Sequence, residues 1–278
     1  MTVDKVINNN LVRSINDKNQ EVLVMGSGLG FKKHPGDPID EQKIEKIYIL
    51  SQNDGSGQRL ELLLSKIPIE YIRVANDIIS RARFSLGKPL NDNIYLTLTD
   101  HISFAVERIK QGIIVKNALL WEIKRFYNHE YLVGKDAIQL VKEQLGVELP
   151  EDEAGFIALH LVNASMTSMD LGMTTEMTKM IQNIIDIVKY HFHVKLDEYS
   201  LHYERFVTHL KFFVQRVFTD TELNDEDESF LRMLKEQYEK EYQCAKKIQT
   251  YISKEYHREL TEDELVYLTV HIRRITME

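Results

Sequence analysis

Residues 148–160 read ELPEDEAGFIALH, and residues 259–271 read ELTEDELVYLTVH. The two stretches match at an offset of 111, and each ends on a histidine that follows an acidic cluster. Both look like helix starts, because Thr261 and Glu264 form a capping-box pattern and Pro150 stands at a position that tolerates proline. The pattern therefore predicts two copies of one helical domain.

Two further matches extend this duplication towards the N-terminus. Residues 77–79 (DII) match residues 183–185 (NII) at an offset of 106, and residues 100–104 (DHISF) match residues 208–212 (THLKF) at an offset of 108. The offset drifts only slightly, as expected for two copies with small loop insertions. The period is far longer than that of a solenoid repeat. Each copy is thus expected to be an independent domain with apolar residues at helical spacing.

The N-terminal segment, positions 1–50, follows a different period. Four short stretches rich in Val and Ile are separated by turn residues, which predicts a small antiparallel sheet of about four strands. The predicted strands are residues 3–7, 11–15, 21–25 and 44–50. A sheet this small has one usable core face and is barely stable alone. Dimerisation would compensate for that deficit.

The predicted fold is therefore a mainly α multidomain chain. A small N-terminal antiparallel β domain (1–55) precedes two homologous all-α helical-bundle domains (56–169 and 170–278). A polar, glycine-bearing linker is expected at 51–57, and a second break without periodicity at 167–175.

Composition restricts the class of protein. The chain has 278 residues, and its single cysteine, Cys244, excludes an intramolecular disulfide, which fits a reducing cytoplasm. No targeting peptide or membrane-spanning run is visible, so a cytoplasmic protein without membrane insertion is expected. The net charge is −8, and residues 1–55 hold seven basic and eight acidic side chains. Charge alone does not point to nucleic acid.

Four histidines occupy equivalent places in the duplication: His101 with His209, and His160 with His271. Arg108 and Arg216 each follow a histidine by about two helical turns, which puts both side chains on one helix face. A neutral imidazole can accept a phosphoryl group, and an arginine can pair with the phosphate. Ordinary packed or capped histidines remain the competing interpretation. Metal binding is a third one, although the close pair His191 and His193 lies at neither duplicated position.

The segment GSGLG at 26–30 resembles a phosphate-cradling loop, but the following FKKHPGDP cannot start the helix that nucleotide binding requires. A tight turn is favoured, with close backbone approach to a partner and stacking of Phe31 on a base as the functional alternative. Residues 8–10 (NNN) likewise suggest a hairpin turn, although asparagine amides can read base edges and Lys5 can meet a phosphate.

Other features carry little chemistry. The acidic cluster at 151–153 is interpreted as complementing a helix macrodipole, and Trp121 as a helix packing residue. No catalytic dyad or triad stands out. The sequence thus predicts no enzyme, no metal and no cofactor.

Several long motifs nevertheless resemble the β-glucoside operon antiterminators, over essentially the whole chain. They are KVINNN (5–10), VMGSGLGF (24–31), LTDHI (98–102) and DEAGFIALH (152–160). The resemblance implies that residues 1–55 dimerise and bind a short RNA hairpin that precludes an overlapping terminator. It implies RNA contacts from six residues: Lys5, Asn8, Asn10, Gly26, Ser27 and Phe31.

The same resemblance implies that the two helical copies are regulation domains of the sugar phosphotransferase system. Their phosphorylated residues would be His101, His160, His209 and His271. The first domain would be modified by way of the sugar permease (enzyme II) and inhibit, and the second by the phosphocarrier HPr and activate.

Two departures stand out. Members of that family carry Arg or Lys where this chain has Ser27, which predicts one lost cationic contact per protomer. Asp100 could orient His101 through its far ring nitrogen, whereas Thr208 in the second copy could do so only weakly.

Three competing functions stay open from the residues. A histidine phosphocarrier would pass phosphate to a downstream acceptor. A DNA-binding activator built on the same regulatory domains needs a helix-turn-helix, which the β-rich N-terminal segment does not offer. A plain helical scaffold predicts no histidine labelling by phospho-HPr.

Overall fold

The computed structural model describes residues 1–50, 56–166, 171–219 and 237–277. The chain divides into two compact units, residues 1–169 and 170–278. A small sheet and a helical bundle form the first unit, and a second helical bundle forms the second. The predicted fold class is confirmed.

Four antiparallel strands form the sheet in the order β1-β2-β3-β4. They are β1 (Val3–Asn8), β2 (Leu11–Ile15), β3 (Glu21–Met25) and β4 (Lys46–Ile49). The first three agree with the predicted strands to within one residue, and β4 is shorter than predicted. A short 3-10 turn, Glu41–Lys43, precedes β4.

Both faces of the sheet are buried, which the sequence did not predict. One face forms a small core with the loop after β3: Val3, Val12, Val22, Val24, Leu29 and Ile39. The other face joins the core of the first helical bundle through Leu11, Leu23, Met25, Tyr48 and Leu50. Alternate residues of a strand point to opposite faces, so the same strands supply both cores. The missing apolar cover is thus provided within the chain.

Six helices form the first bundle over the described residues 56–166. They are α1 (Ser56–Lys66), α2 (Ile69–Leu86), α3 (Ile94–Lys110), α4 (Leu120–Phe126), α5 (Asn128–Leu145) and α6 (Glu151–Ser165). α6 packs against α3, α4 and α5, and α2 packs against α3 and α5. Helix α6 is buried along most of its length, so it forms the centre of the bundle.

Four helices are described in the second unit. They are α7 (Leu171–Phe192), α8 (Leu201–Thr219), α9 (Glu239–Tyr256) and α10 (Glu262–Thr276). The predicted capping box is present: Thr261 Oγ1 accepts from the Glu264 N–H at 3.2 Å, and the Glu264 carboxylate accepts from the Thr261 N–H at 3.0 Å. α10 packs against α8 and α9, as α6 packs in the first unit.

The predicted linker and break are shorter than expected where the structure describes them. Residues 51–55 and 167–170 lie outside the described residues, but Ser56 and Gly57 already belong to α1, and α7 begins at Leu171. The small polar residues near the start of α7 face its core side: Thr174 is fully buried, and Thr178 Oγ1 donates to its carbonyl at 2.8 Å. Side-chain polarity therefore misled the prediction.

Candidate functional site

His101 and His160 meet inside the first bundle. α3 carries His101, α6 carries His160, and their ring centroids lie 4.8 Å apart. The His101 side chain is 15% exposed, whereas His160 is only 6% exposed. His101 is therefore the more accessible member of this pair.

Glu153 joins His101 to Arg108. Its side chain is completely buried, its Oε2 lies 3.1 Å from His101 Nε2, and its Oε1 accepts a hydrogen bond from Arg108 Nη2. The first contact is a close electrostatic one and not an aligned hydrogen bond. His101 and Arg108 share a helix face as predicted, so both reach one carboxylate. The guanidinium neutralises the buried carboxylate, which would otherwise be costly to bury.

Sequence reasoning missed Glu153. The acidic cluster was expected only to complement the helix macrodipole, but that interpretation is incomplete, since Asp152 also accepts from the Asn117 N–H at 2.8 Å. A signal was available, because Glu153 precedes His160 by the same spacing with which Glu264 precedes His271. The expected orienting role of Asp100 is wrong, because Asp100 is exposed and Glu153 is the carboxylate beside the His101 ring.

His209 and His271 form the corresponding pair in the second unit. Their rings are stacked, with centroids 3.7 Å apart and an interplanar angle of 22°. Tyr267, one turn before His271, donates its hydroxyl to the His209 carbonyl at 3.1 Å, and the same oxygen lies 3.0 Å from His209 Nδ1. Phe156 stands at the equivalent position of the first copy and has no hydroxyl. The two accessible histidines thus face different chemical groups.

The arginines are also arranged differently in the second copy. Glu264 is as buried as Glu153, but it bonds Arg258 at 3.2 Å. Arg216, two turns after His209, instead lies over the Tyr267 ring, with 4.8 Å between the guanidinium carbon and the ring centroid. The buried carboxylate of this copy is therefore neutralised by an arginine from outside the predicted pair.

Burial favours the neutral form of three of these rings by lowering the pKa of each. It lowers the pKa of His160 to about 3, with a further contribution from His101. Burial also lowers the pKa of His271 to about 4, followed by the charges of His209 and two nearby arginines. The pKa of His209 is lowered by burial and by Arg274. Neutral imidazole is the form whose ring nitrogen can attack phosphorus.

The asparagine turn and the glycine loop form one surface of the β domain. Asn9 and Asn10 make the predicted turn between β1 and β2. The Asn10 side chain accepts from the Gly28 N–H at 2.9 Å, and its carbonyl accepts from the Gly26 N–H at 2.9 Å. A Cβ on Gly26 would lie 1.9 Å from the carbonyl oxygen of Lys43, so only glycine fits there. The loop is a series of tight turns, and no helix follows it over residues 31–40.

The remaining predicted RNA contacts differ in their exposure and in their bonding partners. Phe31 is 56% exposed, as stacking on a base would require. The exposed Ser27 donates its backbone N–H to Glu45 at 3.0 Å, and Asn8 accepts from the Asn10 N–H at 2.8 Å. Lys5 is not free, since its Nζ bonds Glu61 of α1 at 2.8 Å.

Trp121 was expected to be a helix packing residue, but it is 51% exposed and has the Arg125 guanidinium 4.7 Å from its ring centroid. His191 Nε2 lies 3.1 Å from the Lys240 carbonyl oxygen. Over residues 1–50, 56–166, 171–219 and 237–277, no group of three or more His, Cys, Asp or Glu side chains could hold a metal ion.

Family models match most of the chain. The CAT RNA binding domain matches residues 1–56, and the PRD domain matches twice, at residues 76–164 and 182–275. The chain belongs to the CAT–PRD transcription antiterminators. Two curated CAT–PRD relatives are similar over its full length. Transcription antiterminator LicT of Bacillus subtilis (strain 168) is 51% identical over 100% of both chains. The Beta-glucoside operon antiterminator of Dickeya chrysanthemi is 45% identical over 100% of this chain and 98% of its own.

A solved CAT–PRD structure supports the fold of the first unit. The crystal structure of GlcT CAT-PRDI is 36% identical and superposes with a TM-score of 0.53, covering 60% of this chain and 98% of that one. Both full-length relatives are named as antiterminators and not as enzymes. Among the described helices, none has the length and apolar character needed to cross a bilayer.

Proposed function

We propose that this chain is a transcription antiterminator whose RNA binding is controlled by histidine phosphorylation. The β domain binds a short RNA hairpin and prevents an overlapping terminator from forming. Phosphorylation of the two PRD domains then sets how strongly the RNA is bound. The proposed domain boundaries are residues 1–55, 56–169 and 170–278.

The observation that carries the regulatory part is the pair of histidines repeated in both units, each with one accessible member. The pairs differ in charge. In the first, Arg108 is already neutralised by Glu153. In the second pair, Arg258 forms an ion pair with Glu264. The charges of Arg216 and Arg274 both lower the pKa of His271.

This charge difference gives phosphorylation opposite consequences. A phosphoryl group adds about −1.5 to −2 charges. At His209 it lies near arginines that can pair with it, whereas Arg108, on the helix face of His101, is already paired with the buried Glu153. Moving a two-state equilibrium from 1:99 to 99:1 needs about 5.5 kcal/mol. Two symmetry-related sites, each gaining a charge-assisted bond of about 2–3 kcal/mol, supply that amount.

The proposed partners follow from this scheme. A homodimer supplies the symmetry-related sites. HPr phosphorylates the second PRD domain and activates, and the sugar permease (enzyme II) acts on the first and inhibits. Such a regulator works on nascent transcripts in the cytoplasm.

The test is a gel shift of the full chain with a terminator-proximal RNA hairpin, over a salt series. His209→Asp is expected to tighten hairpin binding and increase the dimer fraction in light scattering, and His101→Asp is expected to weaken binding. His202→Asp is the matched control, since it places the same charge at an exposed position of α8. Equal affinities for all three variants would remove the electrostatic switch, and no hairpin binding by the unmodified chain would remove the antiterminator function.

The alternative function, a histidine phosphocarrier, can be distinguished from a regulator by following labelled phosphate. It would transfer labelled phosphate from the chain to a downstream acceptor, whereas a regulator retains the label. The same labelled protein can be used for both measurements.

A further inference from the structure

We propose that the two PRD copies accept phosphate on opposite ring nitrogens: Nδ1 of His101 and Nε2 of His209. The inference rests on the proposed phosphorylation and specifies its atoms. It follows from which nitrogen of each neutral ring carries the proton, since only the other one has a lone pair free to attack.

Tyr267 fixes the proton of His209. A tyrosine hydroxyl has one hydrogen, and here it is donated to the His209 carbonyl at 3.1 Å. The same oxygen lies 3.0 Å from His209 Nδ1, so at this contact it must accept. Nδ1 therefore carries the N–H, and the lone pair of the neutral ring is on Nε2.

Glu153 fixes the proton of His101 in the opposite sense. Its Oε2 lies 3.1 Å from Nε2, and both atoms are buried. A lone pair on Nε2 would face the negative oxygen and repel it, whereas an N–H there is attracted. The neutral ring is thus protonated on Nε2, and its lone pair is on Nδ1.

The sequences of the two copies differ at the positions that set the two tautomers. Phe156 replaces Tyr267 in the first copy, so no hydroxyl can hold the ring of His101 from that position. Val147 is the counterpart of Arg258 in the first copy. Arg258 bonds the buried Glu264, and a valine at this position cannot bond Glu153 in the same way. Two substitutions between the copies are enough to reverse the tautomer.

The transfer step balances without a further reactant. The ring lone pair attacks the phosphorus of an N-phosphorylated donor, such as phosphohistidine on a carrier protein. A new N–P bond forms, the donor N–P bond breaks, and its electron pair returns to the donor nitrogen. The acceptor keeps its proton on the other nitrogen, where Tyr267 or Glu153 stabilises the positive charge of the product ring.

Ring-nitrogen NMR on the unphosphorylated full chain tests the tautomers directly. With ¹⁵N-labelled histidine, signals are assigned by their loss in His101→Gln and His209→Gln. We expect His101 to be protonated on Nε2 and His209 to be protonated on Nδ1. Tyr267→Phe, which copies the residue of the first repeat, should lower the tautomer ratio of His209 about fivefold to tenfold, as expected for one lost hydrogen bond. His101 is the internal control in that variant. The same protonated nitrogen in both rings would overturn the proposal.

Isomer-specific detection then tests the acceptors. The full chain is phosphorylated with phospho-HPr together with the phosphorylated sugar permease (enzyme II), so that both PRD domains meet their proposed donors, and is probed for 1-phosphohistidine (Nδ1) and 3-phosphohistidine (Nε2). His101→Gln should lose 1-phosphohistidine, and His209→Gln should lose 3-phosphohistidine. One isomer at both positions contradicts the proposal. Absence of any label, with the two expected tautomers, would instead sink the proposed phosphorylation control while leaving the tautomer assignment intact.

Discussion

Ser27 lies in the glycine loop with an exposed side chain, and its backbone N–H is engaged by Glu45. A longer side chain can therefore project into solvent without disturbing the loop. Relatives of this chain are expected to carry a cation at this position, close to where the RNA backbone would lie.

Ser27→Arg is accordingly expected to tighten hairpin binding. One added phosphate contact should also make the slope of log affinity against log salt more negative by about 0.7–0.9. Ser27→Gln is the control, because it adds length without charge. A gel shift over a salt series of about 50–200 mM measures both quantities. If Arg and Gln variants have the same salt slope, position 27 does not contact phosphate.

The buried histidines make stability depend on pH. The pKa of His160 is lowered to about 3 and that of His271 to about 4. Below about pH 6.5, the ordinary pKa of histidine, the unfolded chain therefore binds more protons than the folded one, and stability is lost as pH falls. The slope is about 1.4 kcal/mol per pH unit for each histidine.

Urea unfolding between about pH 7.5 and pH 5 should show this loss, in a window above the range in which carboxylates titrate. His160→Gln is expected to reduce the slope for the first unit by about one proton. An unchanged slope in that variant would show that His160 is not buried in its neutral form.

At the scale of elements, the capping box of α10 is a local device whose contribution can be isolated. Thr261→Ala removes the hydroxyl that accepts from the Glu264 N–H and is expected to cost about 1 kcal/mol. Thr250→Ala in α9 is a matched control, because that exposed hydroxyl bonds the carbonyl of Lys246 one turn earlier. Chemical denaturation measures both. Equal losses would mean that the cap does not stabilise the helix.

Elements with a strong local period were predictable. The strands are short stretches rich in Val and Ile between turn residues, and the capping box lies within one turn of sequence. Glu153 was not predictable in the same way, because its partners His101 and Arg108 are distant in sequence and only the packing of α3 against α6 brings them together. Trp121 was misjudged for a related reason. An aromatic residue signals burial only when the helix turns that face inwards, and periodicity of the short α4 does not settle which face that is.

At the scale of the molecule, the β domain is held on the first PRD bundle by polar contacts as well as by a shared core. Lys5 bonds Glu61 of α1 at 2.8 Å, and Arg73 of α2 bonds Glu45 at 2.6 Å. Glu61 thus pairs with a side chain that is proposed to contact RNA phosphate. On that proposal, the first bundle and the hairpin compete for Lys5.

Glu61→Gln should free Lys5 and raise hairpin affinity about twofold to fivefold, the range expected for one exposed ion pair. Glu70→Gln, an exposed position on α2 with the same charge change, controls for the general loss of negative charge. Fluorescence anisotropy with labelled hairpin gives both values. Equal gains in the two variants would show that the Lys5–Glu61 pair does not compete with RNA.

The sheet and the first bundle share one apolar core, so the conformational free energies of the two parts are coupled. Tyr48, Met25 and Leu23 belong to the same core as Tyr71 and Leu64. Any ligand that changes the strand face must then act on the bundle, and the effect is reciprocal. Under the proposed control, the factor by which phosphate on His101 changes the affinity for the transcript is also the factor by which the bound transcript changes the equilibrium of phosphate transfer to His101. Binding of the nascent transcript would therefore change the extent to which the bound protein is phosphorylated.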